Sequence, residues 1–332
     1  MMNLSEKIFI TVIIGLFLVS CNSPQTPSEK EEKQSASVRF PSFSGDSAYY
    51  FVEKQVSFGP RVPNTSAHRA CAVWMETRLR QFSSHVVVQN FKARAFNGEV
   101  LNGRNLIISF RPDVKKRILL GAHWDSRPWA DHDPEPGNHQ KPIDGANDGA
   151  SGAGVLMELA RLMSSTPPPI GVDIILFDAE DYGPPRDLQN ADSEEAWGLG
   201  SQYWSRNPHV MNYRAQYGIL LDMVGVPEPV FLMEGFSMYY APHIVKKVWS
   251  IAEGLGYGKS FPTEKGGYIT DDHYFVNKIA GIPMINIIHL ERDNAQNTFF
   301  RYWHTLQDNM EHIDKESLQM VGEVVVRVVY NP

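Results

Sequence analysis

The chain has 332 residues, of which 42% are hydrophobic, 21% charged and 11% aromatic. This composition is typical of a packed globular protein and excludes disordered, collagen-like and coiled-coil chains. The formal net charge is −7 and no run of Lys and Arg is present, so we expect no nucleic-acid partner. The two cysteines, Cys21 and Cys71, cannot build a disulfide framework, and the core alone must stabilise the fold.

The N-terminal segment predicts export. A run from Ile8 to Val19 follows Lys7 and is almost entirely apolar, but it is shorter than the roughly 20 residues that span a bilayer. Residues 1–20 are therefore predicted to be a removed signal peptide. The string Leu18-Val19-Ser20-Cys21 resembles a bacterial lipobox, which implies that Cys21 is lipidated and holds the protein to a membrane in the bacterial periplasm. The alternative is an ordinary signal peptide with a coincidental cysteine.

The next residues predict a flexible tether, because residues 22–37 are rich in Ser, Pro, Glu and Lys. We place this tether at residues 21–43. From there the sequence shows no repeat, no second linker and no low-complexity break, which favours a single domain over residues 44–332.

Hydrophobic periodicity predicts alternating helices and strands in this domain. Two helices are followed by a meander whose turns are placed at Asn97-Gly98 and Asn102-Gly103. Short apolar strands then alternate with helical patterns, which indicates buried parallel strands covered by helices. The predicted strands are 86–96, 105–110, 117–122, 172–177, 217–224 and 283–289, and the predicted helices are 47–58, 66–82, 152–163, 196–204, 241–255 and 317–329. The fold class is therefore α/β, with a mixed, mostly parallel central sheet flanked by helices.

Ligands of open α/β sheets bind beyond the carboxyl ends of the strands, so we searched there for chemistry. His123 and Asp125 follow the first apolar strand two residues apart, an arrangement in which a carboxylate can orient a metal-binding imidazole. A capped turn explains this pair equally well. Asp148 lies among small residues that allow close approach to a cation, but it is also placed to cap the following helix.

Acidic residues follow the later strands as well. Glu180 and Asp181 belong to an acidic cluster, in which repulsion is relieved by a cation or by protons. Asp222 ends another apolar strand, and a buried acid needs a partner. His304 adds an imidazole, with Asp308 nearby. This mixture of His and carboxylate ligands suits zinc with an open, catalytic position.

Other candidate residues are interpreted as structural. Cys71 lies in a helical pattern and is predicted to be a buried small hydrophobe. His273 follows two aspartates, and its role is left open. Several histidines lie in helical or surface contexts that we interpret as lacking acidic neighbours, and a further two lie in a polar loop: His68, His85, His209, His243 and His312, with His132 and His139 in the loop.

Together these motifs resemble the zinc aminopeptidase superfamily in order and spacing. The motifs are His123-Trp-Asp125, the Gly-rich segment around Asp148, Glu180-Asp181, Leu221-Asp222 and His304-Thr305. Further strings are similar to the animal-type glutaminyl cyclases, which also occur in bacteria: Thr270-Asp271-Asp272-His273, the strand Gly281–Leu290, and Trp303-His304-Thr305 with Asp308-Asn309. The resemblance implies a three-layer α/β/α fold of the zinc aminopeptidase type.

The resemblance also implies roles for individual residues. Asp148, Asp181 and His304 would hold one zinc ion, and Glu180 would be the general base and acid. Asp222 and Asp271 would form a hydrogen-bonded acidic pair beside the substrate. The pocket walls would be Trp303, for which core packing is the alternative, and Trp197, in place of a pocket tryptophan of the animal enzymes. His123 and Asp125 match the first-metal positions of the aminopeptidases.

The implied reaction converts the N-terminal glutamine of peptides and secreted proteins to pyroglutamate and releases ammonia. Cyclisation is intramolecular, so one zinc ion suffices to polarise the γ-amide. Two alternatives stay open: a two-zinc aminopeptidase, favoured by the retained His123 and Asp222, and a non-catalytic lipoprotein that uses the fold for binding. The intact Glu180 and metal ligands argue against the second of these.

Overall fold

Six strands form one mixed sheet. Their spatial order is β1-β2-β4-β3-β5-β6, in which β1, β2 and β4 pair antiparallel and β4, β3, β5 and β6 pair parallel. The strands are β1 (Val86–Arg94), β2 (Val100–Phe110), β3 (Arg117–His123), β4 (Gly171–Phe177), β5 (Gly218–Asp222) and β6 (Met284–Ile288). The predicted mixed, mostly parallel sheet is confirmed.

Helices cover both faces of this sheet. Alternate strand residues point to opposite faces. Leu120 packs into the core under five helices, which cover residues 45–56, 66–82, 150–165, 242–254 and 315–330. Leu119 packs on the other face with Trp204 and Val276. The predicted three-layer α/β/α architecture is confirmed. The helices are α1 (Gly45–Val56), α2 (Ser66–Phe82), α3 (Ala150–Ser165), α4 (Leu199–Arg206), α5 (Gly235–Tyr240), α6 (Pro242–Gly254), α7 (Asp272–Phe275) and α8 (Lys315–Tyr330).

The first hairpin corrects one prediction. Its turn lies at Asn97-Gly98, as predicted, but Asn102 and Gly103 are inside β2 and pair with β1. Gly103 is paired with Phe91, and a Cβ atom at Gly103 would lie 2.1 Å from the Phe91 ring. The glycine therefore serves close packing within the strand rather than a turn.

Two short helices and one helix start also differ from the prediction. The predicted start of α4 at Ala196 is wrong, because residues Ala191–Ala196 form a 3₁₀ turn and α4 begins at Leu199. Helices α5 and α7 were not predicted. Each begins after an acidic residue, Glu234 or Asp271, whose carboxylate accepts backbone N–H groups of the first turn.

The computed structural model describes residues 40–291 and 299–332, without the side chains of residues 191 and 192. The predicted signal peptide, Cys21 and most of the predicted tether lie outside the described residues. Phe40–Pro332 form one folded unit, and the buried Phe43 packs against Gly322, so this unit includes the last residues of the segment predicted as tether. Within the described ranges, no helix combines the length and the apolar character needed to cross a membrane.

Candidate active site

The candidate site lies where the parallel strands end. His123 and Asp222 are the last residues of β3 and β5, and Glu180 and Asp181 follow β4 closely. Strained backbone surrounds this edge, because three residues other than glycine have left-handed φ angles: Ala179 (56°), Met223 (48°) and His304 (55°). Such residues cost about 1 to 3 kcal/mol each and cluster at functional sites.

Asp148, Asp181 and His304, which the resemblance implies as zinc ligands, converge on one point. His304 Nε2 lies 3.2 Å from Asp181 Oδ1 and 3.5 Å from Asp148 Oδ2, and all three residues are buried. Asp181 Oδ2 has no hydrogen-bond partner among the described residues. One nitrogen and two carboxylate oxygens with an unpaired oxygen among them fit a zinc ion with an open position.

A second group shares Asp148 with the first. His123 Nε2 lies 3.1 Å from Asp148 Oδ1 and 3.2 Å from Asp222 Oδ1, so these three residues could also hold a metal ion. Burial lowers the pKa of His123, but its bonds to Asp125, Asp148 and Asp222 outweigh burial and raise that pKa well above its ordinary value. The helix-capping interpretation of Asp148 is wrong, because the N-cap of α3 is Gly149 and Asp148 contacts the two histidines.

A cavity of about 270 Å³ opens onto the first group. Trp303 stacks on the His304 ring with a centroid distance of 3.6 Å, and Trp197 lies parallel to the same imidazole at 6.4 Å. Arg127 lies over the Trp197 ring at 4.9 Å. Both predicted tryptophans therefore line the cavity. Four further apolar side chains line it, namely Met223, Ile269, Ile288 and Phe299.

Three carboxyl groups besides those of the first group face this cavity: Glu180, Asp222 and Asp271. Burial raises the pKa of Glu180 well above its ordinary value; His123 opposes this shift, and Asp271 and Asp181 add to it. The predicted hydrogen bond between Asp222 and Asp271 stays a prediction. The structure shows Asp222 bonded to His123 at 3.2 Å and Asp271 accepting from Asn286 Nδ2 at 2.6 Å.

Comparison with known proteins places the fold in a family. The family model for peptidase family M28 matches residues 105–329. The chain belongs to peptidase family M28. All the candidate metal ligands, from His123 to His304, lie within the matched range.

Solved structures similar to this M28 chain carry two kinds of description. The structure of Bacteroides thetaiotaomicron glutaminyl cyclase bound to N-acetylhistamine is 52% identical with a TM-score of 0.86, covering 89% of this chain and 100% of that one. Tannerella forsythia glutaminyl cyclase is 49% identical with a TM-score of 0.85, covering 88% and 100%. A leucine aminopeptidase precursor from B. thetaiotaomicron is 53% identical with a TM-score of 0.85, covering 89% and 99%.

Curated relatives are more distant and longer. Aminopeptidase YwaD of Bacillus subtilis is 26% identical over 86% of this chain, and the glutaminyl-peptide cyclotransferase of Bothrops jararaca is 24% identical over 67% of it. The matched region spans 57% of the first relative and 63% of the second.

Two buried carboxylates hold the backbone that carries the candidate ligands of this M28 chain. Asp125 accepts the N–H groups of Glu180 and Asp181 at 3.0 and 3.1 Å. Asp308 accepts those of Asn147 and Asp148 at 2.7 and 3.0 Å. Burial, with the neighbouring charge of Asp148, raises the pKa of Asp308 to about 7. The sequence predicts Asp125 and Asp308 near the site, but only the folded structure shows that they accept hydrogen bonds from backbone amides.

Arg127 was missed by sequence reasoning. Its fully buried guanidinium donates to both oxygens of Asp131 at 2.8 and 2.7 Å and lies 3.3 Å from Asp181 Oδ1. Asp131 Oδ1 in turn lies 3.4 Å from His304 Nδ1, on the ring edge opposite Nε2. Arg127 therefore contacts the candidate ligand Asp181 and holds Asp131 beside the candidate ligand His304. In the sequence, only the position of Arg127 two residues after Asp125 indicates that it lies near the site.

Some residues interpreted as structural have acidic partners. The interpretation that His68 lacks an acidic neighbour is wrong, because its Nε2 contacts the buried Asp178 at 2.9 Å. His273, which was left open, pairs with Glu234 at 3.0 Å. Cys71 is confirmed as a buried thiol beside Met75, and burial raises its pKa to about 12. Neither histidine lines the cavity of the candidate site.

Proposed function

We propose that this protein is a zinc-dependent glutaminyl-peptide cyclotransferase, which converts the N-terminal glutamine of peptides and secreted proteins to pyroglutamate and releases ammonia. One observation carries the proposal: a buried glutamate, Glu180, shares a small tryptophan-walled cavity with the Asp148, Asp181 and His304 group. The bacterial glutaminyl cyclase structures, which are about half identical to this chain, support it.

Zinc fits the residues present. Asp148, Asp181 and His304 would hold it, since their donor atoms converge and one oxygen of Asp181 lacks a hydrogen bond within the described chain. When bound there, zinc supplies Lewis-acid polarisation of the γ-amide carbonyl. We expect one ion per chain.

Glu180 moves the proton in the proposed reaction. The α-amine of the substrate forms a bond to the γ-amide carbonyl carbon, the carbon–nitrogen bond of that amide breaks, and ammonia leaves. The Glu180 carboxylate accepts a proton from the attacking amine and returns it to the departing nitrogen. A raised pKa suits this exchange, because it makes the carboxylate a stronger base towards the attacking amine. The nucleophile is already tethered, so orientation supplies much of the rate enhancement.

The cavity walls orient the glutamine and exclude water. Trp303 and Trp197 cover the ligand His304 and give the methylene groups of the side chain an apolar surface. Asp222 and Asp271 face the same space and would accept hydrogen bonds from the α-amine of the substrate. The acidic end of the cavity thereby selects a free N-terminus.

The second candidate is a two-zinc aminopeptidase. It is favoured by the second His-carboxylate group around His123, which shares Asp148 with the first. The similar structure described as a leucine aminopeptidase precursor and the relative aminopeptidase YwaD favour it too.

One assay separates the two candidates. The chain lacking residues 1–21 is loaded with zinc and incubated with a Gln-terminated peptide and, separately, with an aminoacyl anilide. The cyclotransferase releases one ammonia and leaves the peptide bond intact, as mass spectrometry detects, and it carries one zinc per chain. Release of the N-terminal residue with two zinc ions per chain identifies the aminopeptidase instead.

We also propose that Cys21 carries a lipid anchor and that the enzyme works in the periplasm, attached to a membrane. The lipobox-like string before Cys21 and the polar composition of residues 22–37 support this. Its substrates would be proteins that expose N-terminal glutamine after their own signal peptides are removed. Expression of wild type and Cys21→Ser with labelled palmitate tests the anchor: the label and membrane sedimentation should be lost only in the variant. Label retained by the variant contradicts the proposal.

A further inference from the structure

Four aromatic side chains form a surface beside the mouth of the cavity: Phe236, Tyr239, Tyr240 and Tyr268, here called the aromatic surface. Phe236 contacts Tyr268 edge-on at 5.0 Å and Tyr240 at 6.4 Å, and Tyr240 contacts Tyr239 at 4.9 Å. Tyr268 is 68% exposed and Tyr239 is 71% exposed. Core packing does not account for rings that are this exposed.

Tyr268 connects this surface to the candidate active site. It is a wall residue of the cavity and directly precedes Ile269, Thr270 and Asp271, which are wall residues too. The aromatic surface therefore continues the cavity wall outward, from the acidic end where the α-amine would bind.

Buried groups hold the aromatic surface in place. The Glu234 carboxylate accepts the N–H of Phe236 at 2.8 Å and that of Ile269 at 3.0 Å, so one side chain joins both ring-bearing segments. His273 fixes the same carboxylate from beneath at 3.0 Å. Gly235 lies directly under the Tyr268 ring, where a Cβ atom would come within 2.7 Å of ring carbons. A preorganised surface loses little entropy when a ligand binds.

The size of the cavity indicates what must reach this surface. Its volume of about 270 Å³ lies just below the roughly 300–1,000 Å³ of pockets that hold drug-sized ligands. It accommodates a single residue, so the rest of a peptide substrate must leave through the mouth. Tyr268 and the other rings of the aromatic surface then lie along the path by which the peptide leaves the cavity.

We propose that the aromatic surface binds the residues that follow the N-terminal glutamine, and that it favours large apolar side chains among them. This inference rests on the proposed cyclotransferase function. Aromatic contacts are worth about 0.5 to 1.5 kcal/mol beyond area burial, which corresponds to a preference of roughly twofold to tenfold in kcat/KM. We expect the preference mainly in KM, because the reacting atoms are untouched.

The test compares three peptides, Gln-Gly-Gly, Gln-Phe-Gly and Gln-Gly-Phe, by ammonia release. For the wild type we expect kcat/KM for one of the Phe peptides to exceed that for Gln-Gly-Gly by roughly threefold or more. Tyr268→Ala should bring this ratio close to one, whereas Tyr268→Phe should preserve it, because the ring rather than the hydroxyl makes the contact. Tyr50→Ala is the matched control, since Tyr50 is 44% exposed on α1 and does not line the cavity.

A second variant keeps the ring but moves it. Gly235→Ala places a methyl group against Tyr268 and should lower the same ratio with the tyrosine still present. Equal kcat/KM for all three peptides in the wild type overturns the inference, as does a Tyr268→Ala enzyme that keeps the full ratio. A wild type that releases ammonia from none of the peptides removes the proposed function, and this inference with it.

Discussion

Two buried clusters of this molecule contain histidine and carboxylate side chains but differ in hydrogen bonding. In the cluster of Glu234 and His273, the carboxylate accepts the backbone N–H groups of Phe236, Ser237 and Ile269. In the cluster of Asp148, Asp181 and His304, an oxygen of Asp181 lacks a hydrogen bond within the described residues. The Glu234 carboxylate is therefore satisfied by the protein, whereas the Asp181 carboxylate has capacity left for a ligand.

The pKa shifts follow this difference. Although burial raises the pKa of Glu234, His273 and hydrogen bonds from Ser237 and Ile269 outweigh it and lower that pKa to about 2. In the open cluster, burial raises the pKa of Asp181, whereas His123 and His304 outweigh burial and lower the pKa of Asp148. Burial also raises the pKa of the neighbouring Glu180 well above its ordinary value. Buried carboxyl groups thus shift in opposite directions, and the neighbouring charges and hydrogen-bond donors decide the direction. We therefore expect loss of the Glu234 carboxylate to affect mainly stability, and loss of the open group to affect mainly ligand binding.

The largest effect is expected from His304→Ala. Removal of this ligand should abolish both zinc binding and ammonia release, measured by elemental analysis and peptide turnover. His123→Ala is the matched variant, because His123 contacts the same Asp148 from the other side. It should retain one zinc per chain. Loss of zinc in His123→Ala but not in His304→Ala would reverse the assignment of the two histidines.

Glu180→Gln should keep zinc but lower kcat by roughly 10² to 10⁴-fold, the usual contribution of a general acid–base group. Because burial makes the ionised Glu180 costly, the same variant should not lower the melting temperature of the metal-free protein. Exposed Glu53 on α1 offers a control, Glu53→Gln, with unchanged activity. Full turnover by Glu180→Gln would remove this residue from the mechanism.

Unlike Glu180→Gln, Glu234→Gln should lower the free energy of unfolding by roughly 1 to 3 kcal/mol at pH 7, because it replaces a buried carboxylate that accepts three backbone N–H groups and contacts His273. The pKa of Glu234 lies below its ordinary value of 4.5, so its stabilising contribution is complete above that pH. It is lost as the pH falls from 4.5 towards 2. Urea unfolding at pH 7 and pH 3 should therefore show a smaller difference between wild type and variant at the lower pH. A constant difference would contradict the assigned pair.

The smallest effect is expected where a carboxylate supports a ligand through the backbone. Asp308→Asn replaces one accepting oxygen by a donor beside the N–H groups of Asn147 and Asp148. We expect zinc affinity to fall by roughly 10 to 100-fold, as for other groups that position ligands. The exposed Asp46→Asn is the chemical control. Unchanged zinc affinity in Asp308→Asn would show that the loop keeps its shape without this carboxylate.

Much of this site could be predicted because parallel strands end at one edge. His123 and Asp222 end two strands and Asp181 follows a third, and strand pairing alone brings their backbones together. The layer order agrees with the sequence expectation. Asp148, Asp181 and His304 converge and both tryptophans line the cavity, while the roles that the resemblance implies for them stay predictions. The contacts of Arg127 and Glu234 could not be predicted, because their partners come from loops and helix starts that have no periodic pattern.

Local sequence also misled where packing overrides propensity. Asn102-Gly103 has the composition of a turn, yet the Phe91 ring occupies the space beside Gly103 and the strand continues. His68 seemed isolated because Asp178 lies 110 residues away along the chain.

The sequence by itself determined the α/β architecture, the residues at the strand ends and the chemistry that those residue types allow. The hydrophobic pattern that predicts these elements is a local property of the sequence. Because parallel strands end at the same edge of a sheet, the pattern also predicts which residues lie at the site. Only the tertiary structure decided which carboxylates are saturated with donors, which remain open to a ligand, and which aromatic rings stand exposed at the cavity mouth. Those properties depend on donors and surfaces contributed by distant segments, which no local pattern records.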